Sequence, residues 1–449
     1  MDITLHNTLE TLNKELLAEY NQNTKQLEKF AEIQSDLGLL YDKRPLSPIL
    51  RPHLISRTQY NKISYAAETI ANTMEKLAQV VLEDEKLLDR FDFTEMERRL
   101  VKINPGYKSM CVSSRFDTFI AGENFKFLEF NGETPSGVGD QEPIEKFLNH
   151  IPLTKKFLSQ NNVWKPKPHQ KILQALFTSY REFGGTKNKP NIAIVDWDGV
   201  STATEFINLK DYFESMGFPT LIIDPSDIEY DGKKLNVGSF EIDIVYKRVL
   251  IHELLETCDE THPLVSSYID GNLCIANSYR VKIPHKKMSF AFLTDEKYAS
   301  IFSKEELEVF NNHIPWTRKV EETKTTFNGE TVDLLSLLRN KRDRFLLKPN
   351  DDYGGKGIIV GWESSKSEWE NAIDEALKDS FVVQEKVLVE KQTFPVFADK
   401  VYLEELLVDF DPFLFLNKVE GGMVRLSSST LVNVTQGGGQ TALVVLEDY

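Results

Sequence analysis

Residues 113–139, SSRFDTFIAGENFKFLEFNGETPSGVG, decide the reading of this 449-residue chain. Arg115, Asp117 and Phe119 alternate with Phe116, Thr118 and Ile120, and Glu129 and Asn131 alternate with Leu128 and Phe130. This is the period-two pattern of two half-buried strands. Gly122, Glu123 and Asn124 are expected to form a three-residue turn with Asn124 left-handed, which sets Ala121 against Phe125, Asp117 against Glu129 and Arg115 against Asn131. Four polar groups then share one face. Two carboxylates and an amide oxygen side by side repel and stay poorly solvated unless a cation sits among them. Hard oxygen ligands of this kind suit Mg²⁺ with its retained waters and a substrate phosphate. The alternative is a hairpin with one solvated face, on which Arg115 pairs with Glu129 across the strands. The exit from the hairpin, GETPSG at 132–137, is turn-rich, the kind of mobile loop that borders a site.

A chain this long has room for several domains and a substantial core. Its 41% hydrophobic and 27% charged residues describe an ordinary soluble protein. The net charge of −16, from 53 basic and 69 acidic residues, argues against nucleic acid or an anionic membrane as the main partner, because either needs a basic face. No stretch approaches the ~20 apolar residues of a membrane span, and the N-terminus lacks a signal pattern, so the cytoplasm is expected. Cys111, Cys258 and Cys274 have no metal-type spacing and read as reduced, mostly buried small hydrophobes.

Residues 1–100 carry helical periodicity, with Leu9, Leu12 and Leu16 in a first helix and a second long pattern from Tyr60 to Leu88. The charged run 83–86 reads as a solvated helix face. Past a proline-containing crossing, a helix over 171–183, a strand at 191–195, a helix over 202–216 and strands at 220–223 and 242–246 argue a small parallel α/β unit. Asp196 follows its first strand, at the end where open α/β sheets collect ligands, but no Gly-x-Gly-x-x-Gly loop accompanies it. The unit can equally be a scaffold or a substrate lobe.

Chemistry returns near the C-terminus. A strand at 344–349 carries Lys348, and the loop 350–357, NDDYGGKG, precedes the strand 358–360. Amides of Gly354, Gly355 and Gly357, with Lys348 and Lys356 as point charges, can hold nucleotide phosphates. A Gly-Gly hairpin turn with solvated lysines is the alternative. The strand 381–387 turns polar at Gln384 and Glu385, as expected where backbone meets a purine edge, although an ordinary strand end reads the same way. Arg425 and Asn433 sit beside glycine clusters, which fits phosphate or product contact.

Together these pieces resemble the ATP-grasp superfamily, specifically its circularly permuted branch that includes the ligase domain of glutathionylspermidine synthase. The residues that carry the resemblance are Arg115-Phe116-Asp117, Leu128-Glu129-Phe130-Asn131 with its exit, Lys348 with the loop to Gly357, Val383-Gln384-Glu385, and 421–425. It covers roughly residues 100–449. It implies an α/β fold with a helical region at 1–100, a permuted segment with the metal-binding hairpin at 101–165, a Rossmann-like unit at 166–276 and a nucleotide-binding half at 277–449.

The resemblance makes Asp117, Glu129 and Asn131 the Mg²⁺ ligands and Arg115 the catalytic group that neutralises a transferring phosphate or acyl-phosphate. Lys348 would hold ATP phosphates, with a second nucleotide lysine at Lys287 or, failing that, Lys286; Gln384 and Glu385 would form the adenine hinge. The implied activity is ATP-dependent joining of a small-molecule or peptide carboxylate to an amine. The acidic residues Asp351 and Asp352 in the glycine loop depart from a phosphate-binding pattern. A nucleotide-binding scaffold without turnover is the alternative function.

Overall fold

The computed structural model describes residues 3–21, 23–41, 44–352, 354–428 and 439–447. Asn433, expected at a phosphate or product, and Tyr353 of the glycine loop lie outside the described residues.

The hairpin forms from strands Ser113–Ala121 and Asn124–Asn131. Arg115 faces Asn131 and Asp117 faces Glu129, as the alternation predicts, but at the turn Ala121 pairs with Asn124 and Ile120 with Phe125. The turn is therefore two residues long. Gly122, at φ +61°, supplies the left-handed conformation expected of Asn124, in the manner of two-residue hairpin turns. The one-residue difference is absorbed by a bulge: Thr118 pairs with Phe127 while Asp117 keeps Glu129, leaving Leu128 extra on the second strand. Gly122→Ala is expected to cost about 1–2 kcal/mol, the penalty of a Cβ in left-handed backbone, measurable by chemical denaturation.

Phe116 lies beneath this face, its ring centroid 4.5 Å from that of Phe127 and 4.8 Å from that of Phe130. Burying each ring contributes about 1.5–3 kcal/mol, which fixes the polar residues on the opposite side. A one-residue slip would reverse both faces.

The hairpin joins a six-stranded sheet with the C-terminal strands. Val401–Phe415 pairs antiparallel with Ser113–Ala121 on one side and Lys418–Ser427 on the other, and Gly439–Thr441 and Lys391–Phe397 complete the sheet. A second sheet holds Thr317–Lys319, Phe381–Glu385, Phe345–Pro349 and Ile359–Val360 in that order, over a core that includes Leu347, Val383, Trp369 and Ile373. The Rossmann-like expectation appears as a parallel sheet ordered Ile275–Ala276, Ile244–Lys247, Ile192–Val195, Thr220–Ile223. The buried Asn277 ties this unit to the hairpin: its amide nitrogen donates to the Ser113 and Gly132 carbonyls at 2.6 and 2.8 Å, and its oxygen accepts from the Val112 amide at 2.6 Å.

The long helix Arg57–Glu83 starts at Ser56, whose hydroxyl accepts the Gln59 amide, and buries Ile63, Ala67, Ile70, Met74, Leu77 and Val81 on one stripe. The run 83–86 is exposed, as expected of a solvated face, but it interrupts the helix: Asp84 accepts the amides of Lys86 and Leu87 and starts the separate helix Glu85–Asp89. Among the described residues no helix is long and apolar enough to cross a membrane.

Candidate active site

One cavity of about 780 Å³ is bounded by the three sheets just described. The hairpin contributes Arg115, Asp117, Glu129 and Asn131; the second sheet and its loop contribute Lys348, Gly354, Gly355, Gln384 and Glu385. The parallel unit contributes Asp196 and Arg248, which follow adjacent strands whose onward connections run to opposite sides of the sheet. That is the switch point where open parallel sheets form a crevice. Residues 134–137 also line the cavity. This exit loop is held at both sides, because the Ser136 carbonyl accepts from Arg115 at 2.9 Å and the Pro135 carbonyl from Arg248 at 2.7 Å.

The hairpin's polar face converges. Asn131 donates its amide to Asp117 at 2.8 Å and to Glu129 at 3.4 Å, and Arg115 donates to Asp117 at 3.0 and 3.2 Å. The cross-strand pair of the alternative reading, Arg115 with Glu129, gives way to Arg115 with Asp117, while Glu129 faces Lys287 at 3.7 Å.

Arg425 sits on this cluster from the next strands. Its guanidinium bonds Asp117 at 2.6 Å, Asp411 at 3.0 Å and also Asp409, so in this state it is held by carboxylates. Burial pushes the Asp117 carboxyl up, but Arg425 and Arg115 outweigh it and hold the group below the usual carboxylate range. Burial dominates for Asp409 and Asp411 and raises both, Asp411 strongly, with Arg425 opposing. Mutually close acids with one guanidinium share a proton. Both also accept the Thr118 amide at 3.1 Å, at the bulge. Asp409 and Asp411 escaped the sequence reading; their signal was an Asp-x-Asp alternation inside the apolar strand Val401–Phe415.

The bulge has a second consequence. The extra residue, Leu128, presents its carbonyl across the cavity, where it accepts from Lys348 and from Gln384, each at 3.1 Å. Lys348 is buried, and desolvation pushes its pKa down to about 8, with Glu129 opposing and Lys287 reinforcing. Glu385 pairs with Arg344. Lys356 and Gly357 are exposed.

The two candidate lysines part company. The Lys287 ammonium donates to the Asp352 carbonyl at 2.6 Å and faces Glu129. Lys286 turns away to Glu97 and Asp351, each at 3.3 Å, and over the Phe93 ring. The acidic loop is explained by the same network: Asp351 takes two 2.8 Å bonds from the buried Lys282.

Whether the hairpin set fits a hard divalent cation is tested by Asn131. Its amide reaches both carboxylates, and turning it about Cβ–Cγ presents an oxygen in place of the nitrogen, so three oxygen donors meet at one point on the cavity wall. Glu129 has little competition there. Asp117 is the more committed member, with both oxygens already accepting guanidinium bonds.

No family model matches the chain. Uncharacterised proteins of Mycobacterium tuberculosis and Mycobacterium bovis are 24% identical over 226 residues, a match that covers 46% of this chain and spans only 38% of the relatives' length. Among solved structures, an apo glutathione synthetase-like effector (GSS30) from Globodera pallida superposes with a TM-score of 0.60 at 13% identity, covering 94% of this chain and 96% of that one. A putative γ-glutamylcysteine synthetase from Methylobacillus flagellatus gives 0.45 at 11% identity, covering 87% and 89%. The fold is thus mixed α/β, similar to ATP-grasp-like folds of the glutathione synthetase type.

Proposed function

We propose that the chain is an ATP-dependent carboxylate–amine ligase of the circularly permuted ATP-grasp kind, resembling the ligase domain of glutathionylspermidine synthase and working through an acyl-phosphate. The observation that carries this reading is that Arg115, Asp117, Glu129 and Asn131 share one cavity with Lys348, Gly354, Gly355, Gln384 and Glu385. The permuted order is supported by the sheet, in which the early hairpin pairs with the late strand Val401–Phe415.

In this reading Asp117, Glu129 and Asn131 would hold Mg²⁺, which when bound neutralises charge on the transferring phosphoryl group. Lys348, Lys287 and the amides of Gly354 and Gly355 bind the ATP phosphates, Gln384 and Glu385 border the adenine, and Arg115 stabilises the oxyanion of the tetrahedral step. Catalysis is electrostatic and needs no side-chain nucleophile. The test is incubation with Mg²⁺–ATP and a panel of acids (glutamate, γ-glutamylcysteine, glutathione) with hydroxylamine as acceptor. ADP and a hydroxamate are expected; phosphate transfer to a stable hydroxyl product would overturn the ligase reading.

The second reading, a nucleotide-binding scaffold without turnover, is favoured by the commitment of Asp117 to two guanidinium groups. ATP binding by titration calorimetry, with no ADP from any acid and acceptor pair, would select it.

The buried Lys348 gives a pH signature. Only its ammonium attracts phosphate, and bound phosphate raises its pKa above the free value of about 8. ATP affinity is then full below about pH 8 and falls by up to about tenfold per pH unit above it. Calorimetry on Lys348→Met should show weaker binding with that dependence abolished; an unchanged profile would remove Lys348 from the phosphate site.

A further inference from the structure

Lys282 is wholly buried where two borders of the cavity meet. It opens the short helix Lys282–His285. Its ammonium donates two 2.8 Å bonds to Asp351, at the root of the glycine loop, and lies 3.4 Å from Glu133 Oε2 and 3.5 Å from Glu97. Glu133 directly follows Gly132 at the hairpin exit, and its other oxygen accepts the Ile251 amide. Burial alone favours loss of the lysine's proton, but Glu133, Asp351 and Glu97 outweigh it and hold the pKa above the ordinary lysine value. The cation is therefore permanent.

The segment that Lys282 opens also holds the rest of the loop root. The Asn350 carbonyl accepts the Lys287 amide at 2.9 Å, and the Asn350 side-chain oxygen accepts the Met288 amide at 2.8 Å. The Asp352 carbonyl accepts from the Lys287 ammonium, which also faces Glu129. Residues 350–352 are thus tied one by one to 282–288, and 282–288 in turn to the hairpin. Just beyond the root, Gly354 and Gly355 line the cavity with φ of +65° and +76°. Neither has a side chain to fix it, so the place of their amides is set at the root. Asp351 also carries the wrong charge for a neighbour of phosphates, and Lys282, with Lys286 at 3.3 Å, cancels it.

We infer that Lys282 is a positioning residue for the nucleotide phosphates: through Asp351 it fixes the Gly354–Gly355 backbone relative to Asp117, Glu129 and Asn131. The inference rests on the nucleotide half of the ligase reading and is independent of which acid and amine are joined. Wholly buried, Lys282 reaches the site only through its partners. Gln384 and Glu385, which border the adenine in that reading, stand on the strand Phe381–Glu385 and not on the loop, so the phosphates depend on Lys282 and the base does not.

Calorimetric titration of the full chain with Mg²⁺–ATP and, separately, with AMP tests this. Asp351→Asn keeps the shape of the side chain and leaves Lys282 its two glutamates. It should weaken ATP binding by about 10–100-fold, as loss of an outer partner that orients a ligand does at metal sites, and leave AMP binding as in wild type. Lys282→Met should do the same. The double variant Lys282→Met/Asp351→Asn should bind ATP no more weakly than Lys282→Met alone, because the two residues act as one unit. Wild-type ATP affinity in Asp351→Asn, an equal fall for ATP and AMP, or additive losses in the double variant would overturn the positioning role. Should Lys282→Met not fold, Asp351→Asn decides alone. A wild-type protein that binds no Mg²⁺–ATP refutes the nucleotide reading, and this inference with it.

Discussion

Glu129→Gln is expected to lower turnover with Mg²⁺–ATP by at least about 100-fold, the effect of losing one preorganised electrostatic group at a reacting phosphoryl, with little change in folded stability. The side chain stands on the polar face of the hairpin, away from Phe127 and Phe130, and is 18% exposed. Its contacts are the Asn131 amide at 3.4 Å and the Lys287 ammonium at 3.7 Å, neither close enough to be worth much to the fold. Glutamine keeps the shape and one oxygen but removes the charge a hard cation needs. Turnover and thermal unfolding measured on the same preparation separate the two effects. A fully active variant would remove Glu129 from the metal site.

Arg425→Leu should act oppositely, on the fold first. The guanidinium is buried among Asp117, Asp409 and Asp411, and deleting one partner of a buried ionic cluster costs about 3–5 kcal/mol. The sign with pH follows from the carboxylates left behind. Without Arg425 the folded-state pKa values of Asp409 and Asp411, already above the unfolded Asp value of about 3.9, rise further, and that of Asp117 rises from below it. The penalty is therefore full where they are ionised, at neutral pH and above, and shrinks as pH falls and they protonate. Urea midpoints for wild type and variant at about pH 5 and about pH 7 should converge at the lower value. A deficit that is equal at both would show that Arg425 contributes packing and not charge compensation.

The hairpin was legible because its chemistry and its register come from the same alternation: Arg115 and Asn131 had to share a face once Phe116 and Phe130 were buried. The turn was not, because one glycine, Gly122, shortened the loop and a bulge at Leu128 restored the register, a pair of compensating changes that periodicity cannot separate. That bulge also aims the Leu128 carbonyl at Lys348 and Gln384, a link between distant strands with no local signal. Lys286 and Lys287 are adjacent and chemically identical; only Glu97 and Asp351, drawn in from elsewhere, hold Lys286 away and leave Lys287 toward Glu129. Asp409 and Asp411 were hidden by the apolar strand around them, since burial of an acid is paid for by a partner on another strand, here Arg425.

Metal and nucleotide are expected to meet between the hairpin and the strand of Lys348. Locating Mn²⁺ by its anomalous signal in crystals grown with a non-hydrolysable ATP analogue tests it most directly. The ion is expected on Glu129 and Asn131 with Asp117 beside it, and the analogue's phosphates within reach of Lys348 and Lys287. An ion bound only by Asp409 and Asp411, or a nucleotide outside this cavity, would rule that arrangement out.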